Sequence, residues 1–284
     1  MTFLVFGRSG QVATELARLA PDAVFLGREA ADLSDPEACA QAIRDHAPGA
    51  VINAAAWTAV DLAEDHEDQA RVINRDAPAA MARACVAGDI PFVHLSTDYV
   101  FDGGGDAPRA PGDPVAPQNA YGRTKLAGED AVRDAGGRFA ILRTSWVFSA
   151  HGANFVKAML RLAETRDALN VVGDQIGGPT PASGIAAACL TMADRLRGRP
   201  EAAGTYHYAG TPDTSWAGFA RAIFDMADKE VAVTEIPTTD YPTPAARPLN
   251  SRLDCRETEA VFGIARPDWQ AALADVLTEL GVTR

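Results

Sequence analysis

Tyr121 and Lys125 stand four residues apart in the stretch Tyr121-Gly122-Arg123-Thr124-Lys125. A helix would set them on one face, one turn from each other. That pairing suits proton transfer. A free tyrosine titrates near pH 10, and an ammonium group beside it favours the phenolate. A drop of about three pH units corresponds to roughly 4 kcal/mol, enough for the phenol to protonate a carbonyl oxygen under reduction at neutral pH. Five tyrosines and three lysines would produce such a match by chance in roughly one chain in twenty. The pair therefore takes its weight from its surroundings. Lysine is scarce here, with only Lys125, Lys157 and Lys229 among 26 basic residues.

The elements that must position the pair lie upstream. Residues 2–6 are an apolar run without polar alternation, as expected of a strand buried on both faces. Gly7-Arg8-Ser9-Gly10-Gln11-Val12-Ala13 follows and leads into a helical pattern that ends at Pro21. In this Gly-x-x-Gly-x-x-Ala turn, Gly7 permits the tight bend. Gly10 lets a pyrophosphate approach the backbone, and Ala13 lets the helix lie close on the strand. Free amides and the dipole at the helix start face the phosphates. A second strand over 23–27 ends Gly27-Arg28, where an arginine accommodates a ribose 2′-phosphate, so the reading leans to NADPH over NADH. Asp32 is placed to meet an adenine edge. Ser34-x-x-Glu37 reads as a capping box for a helix near 35–47.

The third strand, 50–53, runs into Ala54-Ala55-Ala56-Trp57-Thr58, small residues that a flat ligand can approach. A charged stretch, 61–68, reads as the solvated start of a helix over 66–88. The fourth strand, 91–97, ends in Ser96-Thr97-Asp98-Tyr99. Ligands of parallel sheets bind beyond the carboxyl ends of strands, so Thr97 and Asp98 point toward the site. A Pro/Gly/Asp-rich loop, 102–119, is long enough to cover substrate, and Asn119 is placed to cap the Tyr121 helix. A fifth strand spans 139–144. Helices near 153–165, 182–196, 215–228 and 269–280 then alternate with strand-like runs near 169–172, 205–208 and 231–236. The pattern predicts an α/β fold: a doubly wound parallel sheet (Rossmann), residues 1–148, with a smaller C-terminal substrate-binding lobe over 149–284. Later segments are expected to return to the sheet.

Composition narrows the function classes. Apolar residues make up 47% of the chain, normal for a globular core. No apolar run approaches membrane-spanning length, and the N-terminus reads as a strand, which predicts a cytoplasmic protein without membrane attachment. Net charge of -12 argues against nucleic acid as a partner. Cys39, Cys85, Cys189 and Cys255 are scattered without metal-ligand spacing, as buried reduced thiols would be.

Taken together, the motifs resemble the extended short-chain dehydrogenase/reductase superfamily and, within it, the dTDP-4-dehydrorhamnose reductase family. The stretches that carry the resemblance span nearly the whole chain. The most specific are Ser96-Thr97-Asp98-Tyr99-Val100-Phe101, Arg143-Thr144-Ser145-Trp146-Val147 and Tyr241-Pro242-Thr243-Pro244-Ala245-x-Arg247-Pro248-x-Asn250-Ser251. The resemblance implies NADPH-dependent reduction of the 4-keto group of a dTDP-sugar, the step that gives dTDP-L-rhamnose. Tyr121 would be the proton donor, Lys125 would hold the nicotinamide ribose and lower the tyrosine pKa, and Thr97 would polarise the carbonyl. Ser9, Gly10, Gln11 and Val12 would line the pyrophosphate, Asp32 and Leu33 the adenine, and Ala55, Ala56 and Thr58 the cofactor cleft. Asp98 and Trp146 would line the sugar pocket. Arg247 or Arg252 would meet the diphosphate, or instead form an ion pair between lobes.

Three departures from that family bear on the reading. Ala13 replaces a glycine found in relatives and keeps the close packing. Arg28 stands where some relatives are acidic, which leaves NADH a lesser alternative. Glu15 matches a family position for an interface Mg²⁺, but Pro181-Ala182-Ser183-Gly184 offers it no acidic partner. The chain is therefore expected to hold no metal and to be a monomer or homodimer. Alternative readings are another nucleotide-sugar 4-reductase or 4-epimerase of the superfamily, or a non-catalytic regulatory subunit of the same fold.

Overall fold

The structure, a computed structural model, describes residues 2–282. At its centre are β1 (Phe3–Phe6), β2 (Val24–Leu26), β3 (Ala50–Asn53), β4 (Phe92–Thr97) and β5 (Phe139–Thr144). They lie side by side in the order β2-β1-β3-β4-β5, with Gly204–His207 completing the edge beside β5. Every pairing is parallel. The register sets Phe6 opposite both Leu26 and Asn53, and Thr97 opposite Thr144, so the carboxyl ends of the strands share one rim. The chain leaves β1 toward β2 and returns to its other side as β3. That reversal opens a crevice at the rim where ligands bind in this class of sheet.

The apolar runs read as doubly buried strands are so: Leu4, Val5, Phe6, Val51, Ile52, Val93, Ile141 and Leu142 are completely buried. Helices Pro36–His46 and Ala77–Ala87 cover one face through Cys39, Ile43 and Met81. The first helix, Gln11–Leu19, and the long helix Ala182–Gly198 cover the other through Leu16, Ile185, Cys189 and Met192. That helix and the sixth strand are the later segments that rejoin the sheet. A second core gathers Phe148, Phe219, Phe224, Trp269 and Leu273 under helices Phe155–Ala163, Trp216–Met226 and Trp269–Glu279, beside a parallel pair formed by Ala168–Val172 and Ala232–Ile236. All four cysteines are buried and free. No helix among the described residues is long and apolar enough to cross a membrane.

Two local expectations are corrected. The cap of helix Pro36–His46 is Asp35, whose carboxylate accepts from the Ala38 amide at 3.1 Å. The Ser34 amide instead donates to Asp32. Pro36 at the first helical position moves the start one residue on. The helix expected over 66–88 is also interrupted. Glu67–Arg71 passes into a π turn, Val72–Asp76, before Ala77–Ala87 resumes α geometry.

The loop 102–119 is strapped down. Arg109 and residues 252–254 exchange backbone hydrogen bonds, and the Asn250 amide donates to the carbonyls of Gly104 and Ala107.

Candidate active site

β4 delivers Thr97 and Asp98 to the rim, and helix Ala120–Ala135 brings Tyr121 and Lys125 against them. The helix starts where Asn119 predicts, its side chain accepting from the Gly122 amide at 2.7 Å. A side chain at Gly122 would lie 2.3 Å from the Tyr99 carbonyl, and one at Gly128 would lie 2.0 Å from the Asn74 carbonyl. Only glycine lets the helix lie this close to the rim. The π turn presents Asn74 to the same helix. Its side chain accepts from the Trp57 amide and donates to the Trp57 carbonyl and to Thr124.

Thr97 is the hub. Its hydroxyl donates to Asp98 Oδ1 at 3.0 Å and accepts from the Tyr99 amide at 3.2 Å. The Tyr99 ring meets the Tyr121 ring edge-on at 5.5 Å. Burial raises the Asp98 carboxyl to about 6, against the lowering effect of Ser251 and Thr97. Lys125, almost fully buried, donates from Nζ to the Leu95 carbonyl at 2.7 Å. Burial brings it down to about 8, with the Glu129 carboxylate opposing that fall. Glu129 itself is held by Ser96 and by a two-pronged bond from Arg143.

The expected fall in the Tyr121 pKa is not found in the free protein. Burial pushes the phenol up to about 12, the Thr97 hydroxyl opposes this, and the Asp98 charge adds to it. The ammonium of Lys125 is turned to the β4 backbone, which leaves desolvation in command of the phenol.

Across the crevice, Gly7 has a φ of +115°, and a side chain there would press on the Ala54 backbone at 3.3 Å. A side chain at Gly10 would meet nothing within 4 Å, so open space lies over the helix start. No side chain caps that helix. Its uncapped first-turn amides and the empty space above them fit a phosphate. Ser9 is exposed and Val12 buried beside them, while the Gln11 side chain turns away to Val147, Ser149 and Asn154. Ala55 and Ala56 are half-buried, Thr58 is exposed, Leu33 is buried, and Asp32 is half-buried. Arg28 is exposed, and at this strand end Arg8 pairs with Glu29 at 3.0 Å.

A cavity of about 850 Å³ opens beside Tyr99 into the smaller lobe, lined among others by Phe155, Arg166, Trp216, Tyr241 and Arg247. Arg247 reaches it while pairing with Asp61 at 2.7 Å. Asp61 therefore belongs to the site's wall, not to a merely solvated helix start, and Glu64 likewise accepts from the Ala120 amide. Trp146, at a φ of +50°, stacks on Trp216 with ring centroids 3.6 Å apart. Arg252 does not join the cavity lining. It lies 3.8 Å from Asp213 and donates to Asn250, both within residues 149–284, so the ion pair that spans the two segments is Arg247 with Asp61 and not one made by Arg252.

Glu15 does have an acidic neighbour, though not from residues 181–184. Helix Trp269–Glu279 supplies Glu279, and His151 completes a group whose ligand atoms lie within 4.8 Å of one another. Arg18 lies beside the same group, 3.6 Å from Glu15 and paired with Glu279, so one guanidinium offsets one of its two carboxylates. Sequence reading missed Asn74, Asp61 and Ser251. Two of them had a signal: Asp61 ends the stretch Asn53-Ala54-Ala55-Ala56-x-Thr58-Ala59-Val60-Asp61, and Ser251 ends the Asn250-Ser251 motif, both of which carry the family resemblance.

Residues 1–282 match the protein family described as RmlD substrate binding domain. The chain is 45% identical over 279 residues to a dTDP-4-dehydrorhamnose reductase of Sinorhizobium fredii, covering 95% of this chain and 94% of that one. A crystal structure of such a reductase from Clostridium acetobutylicum superposes with a TM-score of 0.93 at 34% identity, covering 99% of this chain and all of that one. One from Bacillus anthracis in complex with NADP gives 0.90 at 32%, over 98% and 99%. The chain belongs to the dTDP-4-dehydrorhamnose reductase family.

Proposed function

We propose that the protein reduces the 4-keto group of dTDP-4-dehydro-L-rhamnose with NADPH, giving dTDP-L-rhamnose. The observation that carries the reading is the set of buried Thr97 and Lys125 with half-buried Tyr121 at the same rim as the uncapped glycine turn. The family's name supplies the substrate, and the Bacillus anthracis relative in complex with NADP supplies the cofactor.

The cofactor, when bound, supplies hydride to C4. The chain's own residues do the rest. The turn Gly7 to Val12 would hold the pyrophosphate, Asp32 and Leu33 the adenine, and Ala55, Ala56 and Thr58 the cleft wall. Arg28, or Arg8 released from Glu29, would meet a 2′-phosphate. Thr97 holds the carbonyl oxygen, and Tyr121 donates its proton as charge develops there. Lys125 would exchange the Leu95 carbonyl for the nicotinamide ribose, bringing its charge to bear on the phenol. The cavity takes the nucleotide, with Arg247 near the diphosphate and Asp98 and Trp146 by the sugar. The protein would work in the cytoplasm, without nucleic acid, as a monomer or homodimer.

Loss of absorbance at the nicotinamide band, followed across a panel of nucleotide 4-keto sugars with NADPH and with NADH, tests the reading. The parent protein should consume NADPH with the dTDP-sugar. Tyr121→Phe should lose on the order of a hundredfold or more in kcat while still binding NADPH. An undiminished rate in that variant would remove Tyr121 as the acid. Bound NAD with no net consumption would instead mark an epimerase.

A further inference from the structure

The segment 238–247 is tied down at both ends, to different halves of the chain. At one end the Asp174 carboxylate accepts from the Thr238 amide at 2.9 Å and from its hydroxyl at 2.6 Å. The Gln175 side chain donates to the same hydroxyl at 3.1 Å. Between the ends, Asp240, Tyr241 and Thr243 line the large cavity. At the other end three consecutive residues are gripped. Asp61 accepts from the Ala245 amide at 3.1 Å and from Arg247 Nη2 at 2.7 Å, and Asn119 Nδ2 donates to the Ala246 carbonyl at 2.8 Å.

Asn119, completely enclosed at 1% exposed, faces two ways. Its amide oxygen accepts from the Gly122 amide at 2.7 Å and caps the helix that carries Tyr121 at its second position. A parallel link runs through the short helix Val60–Asp65, where Asp61 holds the segment and Glu64 accepts from the Ala120 amide at 2.7 Å. The cavity wall and the first turn of the Tyr121 helix are thus closed into one hydrogen-bonded ring. Capping alone would need only the acceptor, which serine or aspartate supplies as well. What asparagine adds is the donor to Ala246.

We propose, on the nucleotide reading of the cavity given above, that Asn119 is a positioning residue that carries nucleotide binding at segment 238–247 to the placement of Tyr121. A nucleotide held against Tyr241 and Arg247 stiffens the segment. The Ala246 carbonyl then holds Asn119, and Asn119 fixes the turn from which the phenol projects. Binding energy from the part of the substrate that does not react is thereby expressed as rate.

Asn119→Ser and Asn119→Asp can still cap the helix and lose the donor to Ala246. With NADPH and the dTDP-4-keto sugar, kcat should fall about tenfold to a hundredfold in both, with KM within about threefold of the parent. Hydrogen exchange reads the coupling without turnover. In the parent with NADPH, added dTDP should slow exchange about threefold or more in residues 119–125 as well as in 238–247. In Asn119→Ser it should still slow 238–247 and leave 119–125 unchanged. A variant that kept the nucleotide's effect on 119–125 would overturn the proposal. So would an unchanged kcat in either variant, or a KM that rose alone. If dTDP slowed exchange in neither segment of the parent, the nucleotide reading of the cavity would fail and the coupling with it. A parent that showed the coupling but oxidised no NADPH with any keto sugar would remove only the reductase reading.

Discussion

Asp98 is held at a disadvantage. A carboxyl moved from its ordinary value of 3.8 to about 6 by burial corresponds to about 3 kcal/mol against folding at neutral pH. The folded protein binds this proton more tightly than the unfolded chain. The contribution to stability is therefore best below about pH 4 and falls away as pH rises from there to about 6. Asparagine has the same shape and no charge to desolvate, and its amide can donate to the open Ser251 hydroxyl. Asp98→Asn should thus melt higher than the parent at pH 7, by up to about 3 kcal/mol, and lose the advantage at pH 4. Calorimetry at the two pH values checks this, and a variant no more stable at pH 7 would contradict it. At this scale the sequence was legible where placement follows from spacing: Thr97 ends β4, and Tyr121 and Lys125 stand one turn apart on the helix Ala120–Ala135. What it hid was orientation. Lys125 is turned to the Leu95 carbonyl and Arg252 to Asp213 because of tertiary neighbours that no local pattern encodes.

The helix Ala120–Ala135 sits as it does because two glycines meet backbone instead of side chains. At Gly128 a methyl group would come within 2.0 Å of the Asn74 carbonyl, and that carbonyl belongs to the π turn, which cannot swing aside as a flexible side chain would. Gly128→Ala must push helix and turn apart. It should destabilise by about 1–3 kcal/mol and disturb Lys125, which lies one turn earlier. A thermal melt reads the first effect and kcat the second; a parent-like melting temperature would show that the contact is not rigid. The turn itself was invisible beforehand. Five π residues shift the register of a 3.6-residue pattern by less than the pattern's own scatter, so Val72, Ile73 and Ala77 still fit a single helix. By contrast, the Gly7–Ala13 turn and the Asn119 cap were legible because their requirements are met within a few consecutive residues.

The two cores meet where the phosphate turn touches the smaller lobe, and Gln11 is the join. It stands at the first position of helix Gln11–Leu19, among the uncapped amides, while its side chain crosses to the other lobe. There it donates to the Val147 carbonyl at 3.4 Å and accepts from Ser149 at 2.8 Å and Asn154 at 3.0 Å. Asn154 caps the helix Phe155–Ala163, whose Phe155, Met159 and Leu162 line the large cavity. One side chain therefore links the start of the phosphate-binding helix to a wall of the nucleotide cavity. The sequence showed Gln11 within a cofactor motif, but its second engagement joins residues about 140 positions apart and could not be read from that motif. Removing the side chain in Gln11→Ala takes away hydrogen bonds worth about 1 kcal/mol each and leaves the backbone amide in place. If the join carries both sites, NADPH affinity and the KM for the nucleotide sugar should weaken together, each about fivefold to tenfold, by the usual conversion of about 1.4 kcal/mol per factor of ten. Tyr121, Thr97 and Lys125 are untouched, so kcat at saturation should change far less. Fluorescence titration of NADPH and steady-state kinetics in the sugar separate the outcomes. A change confined to the cofactor would reduce Gln11 to a member of the phosphate turn, with the lobes held together by their other contacts.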